Sequence, residues 1–248
     1  MSRYVLVALM ATPAITMAYA ASADPAATIN GGYANIRSDG QTVDSWNVAG
    51  SALIPIQSTP LNLQVDGAYN SLSGSGISGQ VANLSATAFA GGSQGRLGAT
   101  VGDNLFHGLG IADRTNYGAF GELWVNPQLT LAVKGGGVSG GGVSAYYTGG
   151  EGVVYPTANV ALSGSVDYLK QSNAHITVAS AQVEWLPERR WPASIYGGYS
   201  SVDFDGVHQD LWLIGLRFQF GAGAGASLVE RQRTGPAQWA AAATTLKF

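Results

Sequence analysis

The chain of 248 residues contains no cysteine. That excludes a disulfide framework, a thiol nucleophile and any thiolate metal site. Charge is scarce too: 11% of residues are Asp, Glu, Lys or Arg, against about 25% in an ordinary soluble domain. The net charge of −3 leaves no basic footprint for nucleic acid. The hydrophobic share of 46% is too high for a disordered chain. Beyond the amino terminus, no apolar run approaches the ~20 residues of a membrane-crossing helix. What the chain has in excess is glycine, 35 residues, roughly twice the usual share of about 7%.

The amino terminus reads as a secretory signal peptide over residues 1–23. Arg3 supplies the positive start, Tyr4 to Met17 is mostly apolar, and Pro13 interrupts it. The small-x-small sites Ala18-Tyr-Ala20 and Ala21-Ser-Ala23 follow, which predicts cleavage after Ala23.

Alternation of period two dominates the rest. In Asp210–Phe220, Trp212, Ile214, Leu216, Phe218 and Phe220 share one parity, and Leu211, Leu213, Gly215, Arg217 and Gln219 the other. A strand sends these sets to opposite faces. The pattern predicts twelve strands, at 27–36, 43–54, 60–70, 79–90, 95–104, 115–125, 128–137, 142–154, 158–169, 175–186, 193–203 and 209–220. Pro55, Pro60, Pro127, Pro156, Pro187 and Pro192 all fall in turns after even-numbered strands. Pro cannot donate to a ladder and belongs at strand ends. Its confinement to alternate turns marks the two ends of the sheet as chemically different. A secreted β-sandwich would show the same alternation, but its outer face would carry Lys and Glu. Here the polar face is Ser, Thr, Asn, Gln and Gly. An even strand count, an apolar face with no helix to cover it, and a signal peptide predict an all-β fold: a closed antiparallel up-and-down transmembrane barrel of 12 strands over 24–220.

Gly215-Leu-Arg-Phe218-Gln-Phe220 resembles the closing strand of Gram-negative outer-membrane proteins, the signal read by the barrel-assembly machinery. In that pattern a Gly is followed by alternating hydrophobics ending in Phe. Leu213 departs from it, since a polar residue is usual two positions before the Gly. The chain also continues to Phe248, where the signal normally ends the protein. The whole chain is similar to small porin-like barrels of alphaproteobacterial type. The resemblance implies export through the periplasm to the outer membrane, with lipid, lipopolysaccharide and the assembly machinery as partners. Residues 221–248 read as a periplasmic carboxy-terminal tail. Two alternatives stay open: a last strand over Trp239–Phe248, or a tail folded into or across the mouth.

Charge on a lipid face costs about 2–4 kcal/mol at the midplane. The charged member of each strand therefore marks the lumen, which assigns Asp66, Arg96, Glu122, Lys134, Asp167, Glu184 and Arg217 to the inside. They serve either as a rigidifying ion-pair network or as a lining that tunes permeation. Asn62, Gln64, Ser85, Thr87, Gly98, Thr100, Ser163 and Ser165 lie among them and leave room for water. Eight strands make a filled barrel and sixteen a channel, so twelve allow a narrow pore.

Other groups carry less. His107, His175 and His208 sit by turns after odd strands with no ligand spacing, so neither a metal nor another cofactor is expected. No short Ser/His signature points to a catalytic site or an enzyme. Trp46, Trp124, Trp185, Trp191 and Trp212, with Tyr33, Tyr69, Tyr117, Tyr168 and Tyr199, fall mostly near strand ends, as aromatic girdles do. Gly135-Gly-Gly137 and Gly140-Gly-Gly142 are expected to flank a tight hairpin. The function expected first is passive diffusion of small hydrophilic solutes. A non-conducting structural or surface-interaction barrel comes second, and a membrane-embedded lipid hydrolase third.

Overall fold

The computed structural model describes residues 24–38, 41–74, 77–172, 174–221 and 223–238. The expected signal segment, residues 1–23, and the alternative last strand Trp239–Phe248 lie outside the described residues. Twelve strands follow in order: β1 (Ala26–Ser38), β2 (Gln41–Pro55), β3 (Leu61–Gly74), β4 (Ile77–Gly91), β5 (Gly95–His107), β6 (Arg114–Asn126), β7 (Leu129–Gly140), β8 (Val143–Thr157), β9 (Val160–Gln171), β10 (Ala174–Trp185), β11 (Ala193–Phe204) and β12 (Val207–Gly221). Each pairs antiparallel with its chain neighbour, and β1 pairs with β12 to close the barrel. Closure removes every free edge. In the closing seam Ala27 faces Phe220 and Arg37 faces Asp210.

The alternation sorts side chains to two sides of the wall. On β12, Trp212 is 57% exposed and its neighbour Leu211 is 3% exposed. Val48, Val65, Leu84, Val101, Val133, Val166 and Ile214 continue the exposed apolar face around the barrel. A belt of this extent is not a water-facing surface. In a bilayer it is matched, and the closed ladder pairs the backbone polar groups of neighbouring strands with one another. The chain is therefore an outer-membrane-type β-barrel, seated by its belt.

Both ends of the wall, Ala26 and Gly221, meet at one rim. The turns after even strands share this terminal rim. Pro55 and Pro156 lie within the last residues of β2 and β8, rather than in the turns proper. Pro156 occupies the register shift between Val154 and Thr157, a bulge where a missing N–H breaks no ladder bond. At the far rim the β7–β8 and β11–β12 connections are two-residue turns, and the β5–β6 connection spans 108–113. Asp205 and Gly206 have φ of 48° and 88°, the two positive values that a type I′ hairpin needs.

Aromatic pairs mark the outer wall near the far rim. Tyr33 and Trp46 lie 4.9 Å apart between ring centres, and Tyr199 and Trp212 lie 4.8 Å apart. The two tyrosine hydroxyls donate to Asp44 and Asp210, each at 2.5 Å. Trp124 is not part of a girdle: its indole N–H donates to Glu122 at 2.6 Å and Arg233 stacks on its ring. Trp124 shares the inward parity of Phe120 and Glu122, while Leu123 and Val125 are exposed on the outer face.

The glycine runs also divide. Gly141 and Gly142 make the turn, with φ of 59° and 76°. Gly135–Gly137 instead lie inside β7. A Cβ on Gly136 would stand 2.6 Å from the Tyr147 hydroxyl, and one on Gly118 2.1 Å from it. These glycines make room for a lumen tyrosine, and no turn needs them.

After β12 the chain reverses at Gly221 and enters the terminal mouth, where α1 (Leu228–Thr234) forms. Ser227 caps it and Glu230 completes a capping box, satisfying amides that the first turn leaves free. The described part of the tail is thus folded into the terminal mouth. Leu228 and Ala237 join Leu53, Phe89, Phe120, Val153, Tyr155 and Leu186 in an apolar cluster inside the barrel end.

Candidate functional site

The lumen is lined by the inward parity of every strand. Six of the seven expected charges come as pairs of opposite sign. Arg96 on β5 faces Glu122 on β6 in register, with Nε 3.0 Å from Oε2. Both side chains are almost fully buried. Lys134 on β7 reaches across β8 to Asp167 on β9 at 2.8 Å. It can do so because Gly149 lies between them: a Cβ there would stand 1.9 Å from Asp167 Oδ1. Glu184 accepts from the Ser194 hydroxyl at 2.5 Å and from Arg217. The Arg217 guanidinium also lies over the Tyr196 ring. Asp66 is buried on β3 and accepts from Gln64 Nε2 at 2.7 Å. The seven charges thus form three ion pairs and one carboxylate held by an amide.

Paired burial matters energetically. An isolated charge taken from water costs several kcal/mol, and a well-aligned partner offsets that cost. The small lining residues divide by wall. On β4 and β5, Ser85, Thr87 and Thr100 are buried, and the Thr87 hydroxyl donates to that of Thr100 at 3.0 Å. Gly98 is not open lining: a Cβ there would lie 2.5 Å from Phe89 and 2.7 Å from Phe120. On β9 and β10, Ser163, Ser165, Ser180 and Gln182 remain partly exposed inside the lumen. Water therefore reaches the β8–β10 wall, while the β4–β6 wall is packed.

The tail ties into the pairs nearest the terminal rim. Arg96 Nη1 donates to the Gly235 carbonyl and Nη2 to the Gln232 carbonyl, both at 2.8 Å. Gln64 bonds the backbone of Ala237, and Tyr155 bonds the Gln232 side chain. Arg231 donates to the carbonyls of Pro192, Arg189, Trp191, Ala224 and Ala226. Burial holds its guanidinium below the ordinary arginine range. Arg233 donates to the Asn126 carbonyl at 2.6 Å. Between α1 and the β8–β12 wall remains a cavity of about 50 Å³, lined by Glu151, Gln182, Glu184, Arg217, Arg231 and Gln232 among others. This is room enough for water.

Composition and parity did not single out Gln232, Arg231, Tyr155 or the two phenylalanines. A signal for the last three existed. Phe89, Phe120 and Tyr155 put large apolar groups on the lumen parity, close to the terminal rim. A water-filled mouth has no use for them, whereas a plug does. His175 and His208 lie at exposed turns, 3.0 Å from Asp205 and 3.1 Å from Asp203. The closing-strand residues Phe218 and Phe220 face outward, and Gly215 lies against the Tyr196 ring.

No family model matches the chain, and no curated protein matches it. Solved structures do. An outer-membrane channel from Pseudomonas putida F1 superposes with a TM-score of 0.59 at 12% identity, covering 85% of this chain and 99% of that one. The NanC porin gives 0.59 at 8% identity, covering 77% and 98%. The KdgM porin, in complex with disordered oligogalacturonate, gives 0.54 at 9%, covering 77% and 99%. At these identities the likeness is one of fold: this chain folds as outer-membrane channel and porin barrels do.

Proposed function

We propose that the protein is a narrow porin-like channel of the outer membrane, allowing passive diffusion of small hydrophilic solutes. The observation that carries this reading is the pairing of an apolar outer face with a polar inner wall on β8–β10 that water reaches. A barrel that served only as a rigid body would gain more from an interior packed throughout, as it is along β4–β6. The three ion pairs keep the lumen polar with little net field, which favours neutral or weakly charged solutes over strongly charged ones. Fold likeness to porins supports the reading. The terminal rim faces the periplasm in this proposal. Gly215, Phe218 and Phe220 present the closing strand to the barrel-assembly machinery during insertion, and lipid and lipopolysaccharide surround the belt.

One observation favours the second reading, a non-conducting barrel: α1 sits in the mouth. Against a surface-interaction role, the far-rim connections at Gly141-Gly142 and Asp205-Gly206 are two-residue turns and the longest described one, over 108–113, has six residues, which offers little binding surface. Conductance of purified protein in a planar bilayer separates the two. Discrete steps support the channel. Silence from a barrel that still shows heat-modifiable mobility supports the structural role.

A further inference from the structure

We infer that residues 223–238 are a reversible plug, hinged at the end of β12 and latched to β3 and β5, whose release opens the channel. The inference rests on the channel reading.

Three features carry it. The first is the hinge. The segment following the wall reads Gly221-Ala-Gly-Ala-Gly225, and Gly221 and Gly223 have φ of 75° and 78°. A Cβ on Gly221 would stand 2.2 Å from the Pro25 carbonyl, so only glycine turns the chain back into the mouth there. Such a stretch reorients at little cost, since glycine populates both signs of φ.

The second is the latch. In and just beyond α1 the segment is held on the wall by side chains reaching backbone groups: Arg96 to the Gln232 and Gly235 carbonyls, and Gln64 to the backbone N–H and C=O of Ala237. No covalent link fastens it.

The third decides between a permanent filler and a reversible plug. The two latching side chains on β3 and β5 each have a second partner within the wall itself. Arg96 keeps Glu122, and Gln64 keeps Asp66. When the segment leaves, water replaces its carbonyls and no buried charge is stranded. A filler on which the wall depended would instead supply the sole partner of a buried charge. The released mouth would expose Arg96 and Glu122 and, across it, the Glu184–Arg217 pair, together with the apolar Leu53, Phe89, Phe120, Val153 and Leu186 that Leu228 and Ala237 now cover, so the closed form is favoured at rest and opening exposes that cluster.

The chain has no cysteine of its own, so a lock can be introduced cleanly. The full-length Gln64→Cys/Ala237→Cys variant is inserted in a planar bilayer, oxidised, then treated with dithiothreitol while current is recorded. Disulfide formation is read by mass. The oxidised form should show no openings, and reduction should restore them. The reduced form, having lost the Gln64 latch, should favour the open state about tenfold over the parent, as loss of two hydrogen bonds implies. Equal steps in both redox states would overturn the plug and leave the channel intact. Silence in both states and in the parent would overturn the channel reading itself. If the cysteine pair fails to insert, Gln64→Ala alone decides: a roughly tenfold rise in the open-to-closed ratio supports the plug, and an unchanged ratio contradicts it.

Discussion

Gln64 and Ala237, 173 positions apart, hold each other by both polar atoms of one amide: Gln64 Nε2 donates to the Ala237 carbonyl at 3.1 Å, and the Ala237 N–H donates to Gln64 Oε1 at 2.7 Å. Gln64 is 1% exposed and Ala237 is fully buried. A backbone N–H and C=O buried without partners would each cost about 1–3 kcal/mol. One glutamine on the third strand therefore lets the last described residues of the chain lie inside the barrel. It also couples the tail to a wall segment made long before it.

Arg96 and Glu122 should be worth more as a pair than either residue singly. Arg96→Met strands a buried Glu122 carboxylate, and breaking a buried pair costs about 3–5 kcal/mol. The double variant Arg96→Met/Glu122→Gln should recover much of that loss. Urea midpoints of the refolded proteins in lipid check this. A double variant as unstable as the single would mean that the ties to Gly235 and Gln232, and not the ion pair, hold Arg96 in place.

Ile214 faces lipid and Ser165 faces the lumen. Ile214→Arg should lower stability by about 2–4 kcal/mol if it lies near the midplane. Ser165→Arg should leave stability nearly unchanged and shift ion selectivity toward anions. Refolding yields and reversal potentials in a salt gradient measure both. Equal destabilisation would contradict the assignment of faces.

The strand count, the closure and the lumen parity were legible because a membrane barrel writes its two solvents into alternate residues. β12 carries this most plainly, from Trp212 to Phe220. The strands run further toward the far rim than alternation suggests, as β5 does through Phe106 and His107. Near the rim both faces meet water and headgroups, and the pattern fades. The filled mouth was legible only in part, through Phe89, Phe120 and Tyr155 on the lumen parity; the segment that fills it was not, because α1 is short and its anchors are single residues. Arg231 looks like a solvated charge in the run Glu230-Arg-Gln-Arg233, and only the fold brings the carbonyls of the β10–β11 turn around it. The packing at Gly98 and Gly136 was hidden for the same reason: glycine is equally suited to an open lining and to a close approach by Phe89 or Tyr147.

Gly149 is the condition for the Lys134–Asp167 pair, since its missing Cβ is where the Asp167 carboxylate lies. Asp167→Asn should cost stability in the parent chain and much less in a Gly149→Ala background, where the pair is already displaced. The coupling, read from a double-mutant cycle of urea midpoints, should fall in the range of about 0.5–3 kcal/mol seen for residues in contact. Additive losses would mean that Gly149 has no part in forming the pair.

The cap of α1 gives the plug a pH dependence. The hydroxyl and backbone N–H of Ser227 both bond the Glu230 carboxylate and hold its pKa below the usual carboxylate range. A lowered folded-state pKa stabilises above the unfolded value and loses that contribution as pH falls through the folded one. Exchange protection of the Arg231 amide, which donates to the Ser227 carbonyl at 2.9 Å, should be full at pH 7 and decline below about pH 4. Ser227→Ala should weaken it by about 1 kcal/mol at neutral pH and flatten the pH dependence. Protection that is independent of pH in the parent chain would contradict the role of the cap.

The central claim is that solutes pass along the β8–β10 wall of the lumen. Ser165 lies on that wall, and the adjacent Val166 is 57% exposed on the lipid side. Each is replaced by cysteine in a chain that has none, and single-channel current is recorded while a charged methanethiosulfonate reagent is added. The account predicts a stepwise fall in conductance for Ser165→Cys and none for Val166→Cys. Unaltered current through a Ser165→Cys channel whose thiol is shown by mass to be modified would contradict it.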